Sequence, residues 1–210
     1  MTDSLNIIER ILGPLHFTTI TVLNNLAIIY QGQGKEKEAE QLFLHVLNHS
    51  DNIQETGSPS TAITLHNLAQ LYRQQGNYNK AEQTLLHSLS ILEAPNTTYD
   101  SPEAIDLLIA GTLDALAAIY QLQNKAIDEV EPLYKRSLHI KEQLLGPEHP
   151  DVAITLHDWA MLLSDSEPRL EEGKKLFERA IHLSRLGFGP NSFKAIQYEE
   201  DYYDIFPAED

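Results

Sequence analysis

One short apolar pattern occurs four times along this chain, and its recurrence limits the possible folds more than any other feature. Each copy has a leucine, a second large apolar residue three positions later and then an alanine, and the copies begin at Leu23, Leu65, Leu113 and Leu156. Successive copies lie about 45 residues apart, a spacing typical of stacked helical units. A repeat array is therefore predicted, and such arrays commonly present extended binding surfaces.

A second apolar segment follows each copy after a short interval. In both segments the apolar residues recur three and four positions apart, which predicts a helix with one buried stripe and excludes the period of two expected of a strand. Each repeat is therefore expected to be a helical hairpin. Small residues are expected where its two helices approach each other most closely, at Ala27, Ala69, Ala117 and Ala160 on the first helices and at Ala39 and Ala81 on the second.

The residues between the two helices of a repeat predict how each first helix ends. Gly34, Gly76 and Asn124 suit the left-handed backbone conformation that often terminates a helix. The fourth copy has the segment 164–168 instead, in which Pro168 is suited to start the following helix. In the third copy, Pro102 behind Ser101 is expected to begin the first helix.

These residues resemble the tetratricopeptide repeats, and more narrowly the longer form found in kinesin light chains. The narrower resemblance depends on the linker Leu145–Ala153 and on the Leu-Asn-Asn-Leu-Ala motif at 23–27. It implies an all-α, right-handed superhelical solenoid of antiparallel helix pairs, whose first helices line a concave groove. The longer linker at 94–102 departs from the family pattern, so a less regular superhelix is expected there.

The repeats predict three segments along the chain. A partial repeat, or N-terminal cap helix, is expected over 1–16, and a capping segment with an acidic aromatic tail over 193–210. Between them, residues 17–192 are expected to form one solenoid domain of four repeats, at about 17–50, 58–93, 101–142 and 149–185.

Both ends raise further hypotheses. The segment 4–14 aligns with 137–147, so the chain begins on the later half of a second helix. This segment has an apolar face that includes Leu5, Ile7, Ile8 and Ile11. Three hypotheses follow: the face covers the first full repeat, it shows that the chain is a piece of a longer protein, or it pairs with another chain. At the other end, a short helix is expected over 193–198. Beyond it, the acidic aromatic tail caps the last repeat, stays mobile or lies in a groove as a pseudo-ligand.

Composition excludes several classes of partner and site. The formal net charge of −16 opposes binding to nucleic acid and to anionic membrane surfaces. The apolar runs predict no membrane-spanning segment, and the N-terminal residues do not resemble a leader, so a cytoplasmic location is expected. The absence of cysteine excludes disulfides and thiolate chemistry.

No catalytic site, metal site or cofactor is predicted. The nine histidines largely occupy equivalent repeat positions, as His45 and His87 do. His45 and His49 are one helical turn apart, but no third ligand lies at a spacing that the sequence fixes. Neither a nucleophile with a positioned base nor a glycine-rich phosphate loop is present, so an enzyme is not expected.

Candidate binding residues follow from helical geometry. With the four leucines facing inward, the residues one, two and five places later are expected to project toward the concave groove, and two further residues extend the second copy. The predicted peptide-binding residues are Asn24, Asn25, Ile28, His66, Asn67, Gln70, Arg73, Gln74, Asp114, His157, Asp158 and Met161.

The polar character of this groove suggests what it binds. Carboxamides donate and accept hydrogen bonds, which suits gripping a peptide main chain. The resemblance to kinesin light chains implies that role for Asn24, Asn25 and Asn67. The acidic groups Asp114, Asp158 and Asp165 suggest a ligand with a basic end near the fourth repeat.

The function predicted from the sequence is that of a non-catalytic adaptor or scaffold that binds a peptide segment of a partner protein. Two alternatives stay open. The chain is a regulatory or sensor module of a larger signalling protein or enzyme, or it is a structural protein that self-associates through its N-terminal edge or its acidic tail. The sequence does not identify the partner, because a fold does not determine what its surface binds.

Overall fold

The structure is a computed structural model that describes residues 10–14, 16–51, 58–94 and 101–207. Within those ranges the regular elements are α-helices and one 3₁₀ helix, and no strand occurs. The helices are α1 (Phe17–Gly32), α2 (Glu36–Asp51), α3 (Pro59–Gln74), α4 (Tyr78–Leu92), α5 (Pro102–Leu122), α6 (Ile127–Leu145), α7 (Pro150–Ser164), α8 (Leu170–Gly187) and α9 (Phe193–Ile205).

Consecutive helices pack as pairs, which confirms the predicted all-α fold of helical hairpins. The chain divides within α5 into two compact units, Met1–Thr112 and Leu113–Asp210. In the first unit α1 packs on α2 and α3 packs on α4, while α2 and α1 both contact α3. In the second unit α7 contacts α6 and α8, and α8 contacts α9. Each unit therefore buries its helices against their sequence neighbours.

The predicted helix ends are confirmed at three inter-helix turns. Gly34 and Gly76 have φ values of 73° and 72°, and Asn124 has a φ of 56°. Glycine adopts this left-handed conformation without steric penalty, and asparagine tolerates it better than most residues. In the fourth repeat the turn is instead a 3₁₀ helix at Glu167–Arg169.

The small residues of the pattern lie where the helices meet, as predicted. The six alanines at these positions are almost completely buried. Gly173 occupies the equivalent place on α8, where an added Cβ would lie 3.3 Å from the Ala160 carbonyl oxygen and from Leu163 Cβ. A larger residue at these positions would force the two helices of a pair apart.

Gly187, at the end of α8, provides a stability test of this packing. A Cβ there would overlap the ring of Pro150, 2.8 Å from its Cγ, so Gly187→Ala is expected to destabilise the protein by about 1–3 kcal/mol. The matched control is Gly111→Ala within α5, where an added Cβ meets nothing within 4 Å. That change should stabilise by about 0.5–1 kcal/mol. Urea titrations of both variants would contradict the prediction if the two changes had the same sign.

The C-terminal helix is longer than predicted. The sequence predicts a short helix over 193–198, but α9 continues to Ile205. The longer helix is stabilised because aromatic side chains of the tail pack against a buried ring. Tyr202 and Phe206 both approach Phe177 of α8, with ring centroids 6.2 Å apart in each case. The acidic aromatic segment up to residue 207 is therefore mostly folded onto the second unit.

Helix α5 corrects another expectation. By length and composition it could span a membrane, with a mean hydropathy of 1.5 over its most apolar window, although no segment of that kind was expected. Half of that window is buried inside the protein, and core helices satisfy the same test. The helix is apolar because several of its residues are buried in the hydrophobic core. They are Ile105, Ile109, Leu113 and Leu116.

Several predictions fall on residues that the structure does not describe. They concern Leu5, Ile7 and Ile8 of the N-terminal edge, the linker at 95–100 and the last three residues of the tail. Of the N-terminal edge, Ile11 is described and is exposed.

Candidate functional site

A cleft lies between the first helices of two successive repeats in the first unit. It has a volume of about 350 Å³ and lies between α1 and α3. Three carboxamides line it, together with apolar side chains, three of which are exposed. The lining residues are Phe17, Ile20, Thr21, Asn24, Asn25 and Ile28 from α1, and Ser60, Ile63 and Asn67 from α3. The cleft therefore brings together the predicted residues Asn24, Asn25, Ile28 and Asn67.

Asn24 lies in this cleft with one hydrogen-bonding atom unused. Its side-chain Nδ2 donates to Thr64 Oγ1 at 3.0 Å, and the Thr64 hydroxyl in turn donates to the Ser60 carbonyl oxygen at 2.9 Å. Because the hydroxyl proton is used in the second bond, Asn24 must present its NH₂ group to Thr64. Its Oδ1 is buried and has no hydrogen-bond partner among the described residues.

A second, smaller cavity adjoins the cleft at Ile63. It has a volume of about 170 Å³ and a largely apolar lining. The predicted residue His66 is its main titratable group, and burial lowers the pKa of that histidine from its ordinary value of 6.5. His66 is therefore neutral at physiological pH. The other lining residues are Ala62, Ile63, Ser88, Leu92, Leu107, Leu108, Gly111 and Thr112.

The remaining predicted residues of the first unit make hydrogen bonds within the chain. Arg73 Nε donates to Gln70 Oε1 at 2.9 Å, and Gln74 Oε1 accepts from Gln31 Nε2 at 2.7 Å. The second bond joins the C-terminal parts of α1 and α3, beyond the part that lines the cleft. Their part in ligand binding remains a prediction.

In the second unit, Asp114 is part of a buried ionic cluster. Its Oδ2 accepts from Lys141 Nζ at 2.5 Å and from Thr155 Oγ1 at 2.9 Å, and Lys141 Nζ also donates to Thr155 Oγ1 at 2.8 Å. Burial raises the pKa of Asp114, while the Lys141 ammonium opposes that shift. Because Lys141 compensates its charge, Asp114 adds little to an acidic groove surface.

His157 is buried beneath the C-terminal helix. Its Nδ1 lies 3.1 Å from Asp158 Oδ1, and its Nε2 lies 2.8 Å from Asp201 Oδ2 on α9. The imidazole stacks on the Tyr198 ring at a centroid distance of 4.0 Å. His157 thus joins α7 to α9, while Met161 on the same helix is exposed.

A common register explains these placements. Four predicted residues directly follow the first leucine of their copy: Asn24, His66, Asp114 and His157. At this position the side chain faces the next helix that begins a hairpin or follows the last one. Asn24 reaches Thr64 of α3, Asp114 reaches Thr155 of α7, and His157 reaches Asp201 of α9. At this position the side chain therefore contacts a neighbouring helix, and its part in ligand binding stays a prediction.

Sequence reasoning missed most of the apolar part of the cleft, namely Phe17, Ile20 and Ile63. Phe17, Thr21, Asn24 and Ile28 recur at four-, three- and four-residue intervals, and Ser60, Ile63 and Asn67 at three and four, so each set forms one stripe along its helix. The helical period was therefore a signal that could have identified them. The missed residues precede the first leucine of their copy, whereas the predicted residues follow it.

Over the described ranges, no group of three or more histidine, aspartate or glutamate side chains is placed to hold a metal ion. His45 and His49 do come together, with ring centroids 4.5 Å apart. What the first unit presents instead is a long cleft with amide and apolar walls.

Comparison with known proteins agrees with this description. Tetratricopeptide repeat profiles match residues 1–52, 18–94 and 109–151. The chain is 33% identical over 79 residues to human tetratricopeptide repeat protein 19, mitochondrial. That match spans 38% of this chain and 20% of the length of the human protein.

Solved structures share the fold at low sequence identity. BtubC (BKLC) from P. vanneervenii superposes with a TM-score of 0.79 at 19% identity, covering 97% of this chain and 79% of that one. A variant of a Podosopora anserina protein described as a kinesin light chain with nearly identical TPR-like repeats has a TM-score of 0.69 at 20% identity, covering 89% and 84%. At these identities the likeness shows the fold alone.

Proposed function

Because the chain belongs to the tetratricopeptide repeat family, whose repeats generally mediate protein–protein interaction, we propose that it is a non-catalytic adaptor that binds a peptide segment of a partner protein. The proposed binding site is the cleft between α1 and α3. The cleft is open on one side and is lined by successive turns of both helices, which suits an extended peptide segment.

The observation that carries this proposal is that three carboxamides, those of Asn24, Asn25 and Asn67, line one cleft. A carboxamide both donates and accepts hydrogen bonds. A peptide main chain supplies matching N–H and C=O groups at regular intervals. Asn25 and Asn67 are more accessible than Asn24 and would contact the main chain of the peptide. The apolar side chains of the peptide would contact Phe17, Ile28 and Ile63.

The acidic preference predicted from the sequence is a separate proposal that concerns the second unit alone. In that unit Asp114 is compensated by Lys141, so attraction of a basic peptide end would depend on Asp158 and Asp165. Of these, Asp165 is exposed and Asp158 is half-buried beside His157.

A peptide library selection tests the cleft. Peptides of random sequence selected on the wild-type protein should bind the double variant Asn25→Ala, Asn67→Ala about tenfold or more weakly, because two hydrogen bonds of about 1 kcal/mol each are lost. The two side chains are accessible, so circular dichroism should show unchanged folding. Fluorescence anisotropy with labelled peptides would give the affinities.

The matched control is Gln83→Ala, which removes an exposed carboxamide from the second helix α4, away from the cleft. It should leave peptide affinity unchanged. Equal affinities for the wild type and the double variant would exclude the cleft as the binding site.

A further inference from the structure

The C-terminal helix has two faces, and its inner face makes the contacts that hold it on the described part of the second unit. On the inner face Ala195 and Tyr198 are buried, Asp201 contacts His157, and Glu199 accepts from Arg185 Nε at 2.6 Å. These contacts fix α9 on the second unit. Its outer face is therefore presented in a defined orientation.

The outer face carries large apolar side chains. Phe193 is 80% exposed, Ile196 45% and Tyr203 60%. At intervals of three and seven residues, they lie along one side of the helix. The row extends over about 15 Å, or three helical turns. Single exposed apolar residues are common, but an aligned row on a rigid helix indicates a docking surface.

Uncompensated carboxylates lie beside this row. Glu200 and Asp204 are exposed on the same outer face, between and next to the apolar residues. Their carboxylates make no ion pair or hydrogen bond with residues that the structure describes, whereas the inner-face acids Glu199 and Asp201 are both paired. The outer face thus combines an apolar row with net negative charge.

We propose that this outer face of α9, defined by Phe193, Ile196, Glu200, Tyr203 and Asp204, binds an amphipathic helix of a partner protein that carries lysine or arginine beside its apolar stripe. Helix-on-helix docking satisfies the backbone of both elements internally and lets the apolar rows meet. The basic flank of the partner would pair with Glu200 and Asp204, which favours correct orientation.

Charge also decides among the possible occupants. A second copy of this chain carries the same formal charge of −16, so self-association on an acidic face is opposed by repulsion. Anionic lipid and nucleic acid are repelled in the same way. The basic amphipathic helix is the occupant that the charges favour. Its binding to α9 would be independent of the proposed peptide site between α1 and α3.

The probe is a synthetic peptide of about five helical turns with leucines on one stripe and lysines flanking it. One control peptide replaces every lysine with glutamate, and another keeps the composition but disperses the leucines. Wild-type protein should bind the first peptide by isothermal titration calorimetry and should bind each control at least about tenfold more weakly. Absence of binding to the first peptide would overturn the proposal. Equal affinities for the first peptide and for the control with dispersed leucines would also overturn it.

Variants locate the binding face. The triple change Phe193→Ser, Ile196→Ser, Tyr203→Ser should weaken binding of the probe about tenfold or more, and Glu200→Gln with Asp204→Asn should weaken it severalfold and reduce its salt dependence. Leu186→Ser, on α8 and 61% exposed, is the matched control and should have no effect. The proposal would be overturned if the triple variant bound the probe with the same affinity as the wild type. It would also be overturned if light scattering showed that the wild type is a dimer and that the triple change makes it monomeric.

Discussion

Replacing Lys141 with methionine is expected to lower the free energy of unfolding by about 3–5 kcal/mol, because it leaves the buried carboxylate of Asp114 without its cation. Lys141 and Asp114 are both largely buried, and the ammonium also donates to Thr155. Urea titration followed by far-ultraviolet circular dichroism would measure the loss from the shift of the midpoint.

The control is Lys135→Met on the same helix. Lys135 also pairs with a carboxylate, that of Glu131 at 3.0 Å, but its own side chain is more than half exposed. Exposed pairs contribute about 0–1 kcal/mol, so the same substitution should have a small effect. A double variant, Asp114→Leu with Lys141→Met, should recover most of the loss, because it removes the unpaired charge. Failure to recover would show that Lys141 acts through packing instead.

The loss in Lys141→Met should depend on pH. Burial already raises the pKa of Asp114 while Lys141 opposes that shift, so without Lys141 the folded pKa should rise further. Between the unfolded and folded pKa values the folded state then holds a proton that the unfolded state has released. The deficit relative to wild type should therefore be largest near neutral pH and should shrink as the pH falls toward the unfolded value of about 4. A deficit that stayed constant with pH would contradict this account.

Replacing Phe177 with alanine is expected to lower the free energy of unfolding by about 3–5 kcal/mol. Phe177 is completely buried and contacts His157, Tyr202 and Phe206 with ring centroids 5.4, 6.2 and 6.2 Å away. Phe177 therefore contacts aromatic rings of both α7 and α9. Besides the global loss, α9 should lose hydrogen-exchange protection, and the 188–192 connection should become sensitive to protease.

Phe193→Ala provides the comparison, because Phe193 is the same residue type on the opposite face of α9. Being mostly exposed, it should change stability by no more than about 0.5 kcal/mol and leave α9 protected. If Phe177→Ala left exchange in α9 unchanged, the C-terminal helix would be held chiefly by the polar contacts of Asp201 and Glu199.

The repeat pattern predicted the helices well because their determinants are local. The left-handed turns at Gly34, Gly76 and Asn124, the buried alanines and the start of α5 at Pro102 all follow from residue type and position within a helix. The extent of α9 did not follow in this way. Its acidic sequence gives no strong local preference, and the helix is stabilised by Phe177 and His157, which lie elsewhere in the chain.

The candidate site shows the same division. Sequence alone identified the fold class, the helix pairs, the family resemblance and four residues of the α1–α3 cleft, because helical periodicity determines which residues share a face. Only the tertiary structure decided that Asp114 is paired with Lys141, that His157 lies beneath α9 and that Asn24 keeps an unused acceptor. Those outcomes depend on which side chains the neighbouring helices supply, and spacing along one helix carries no information about them.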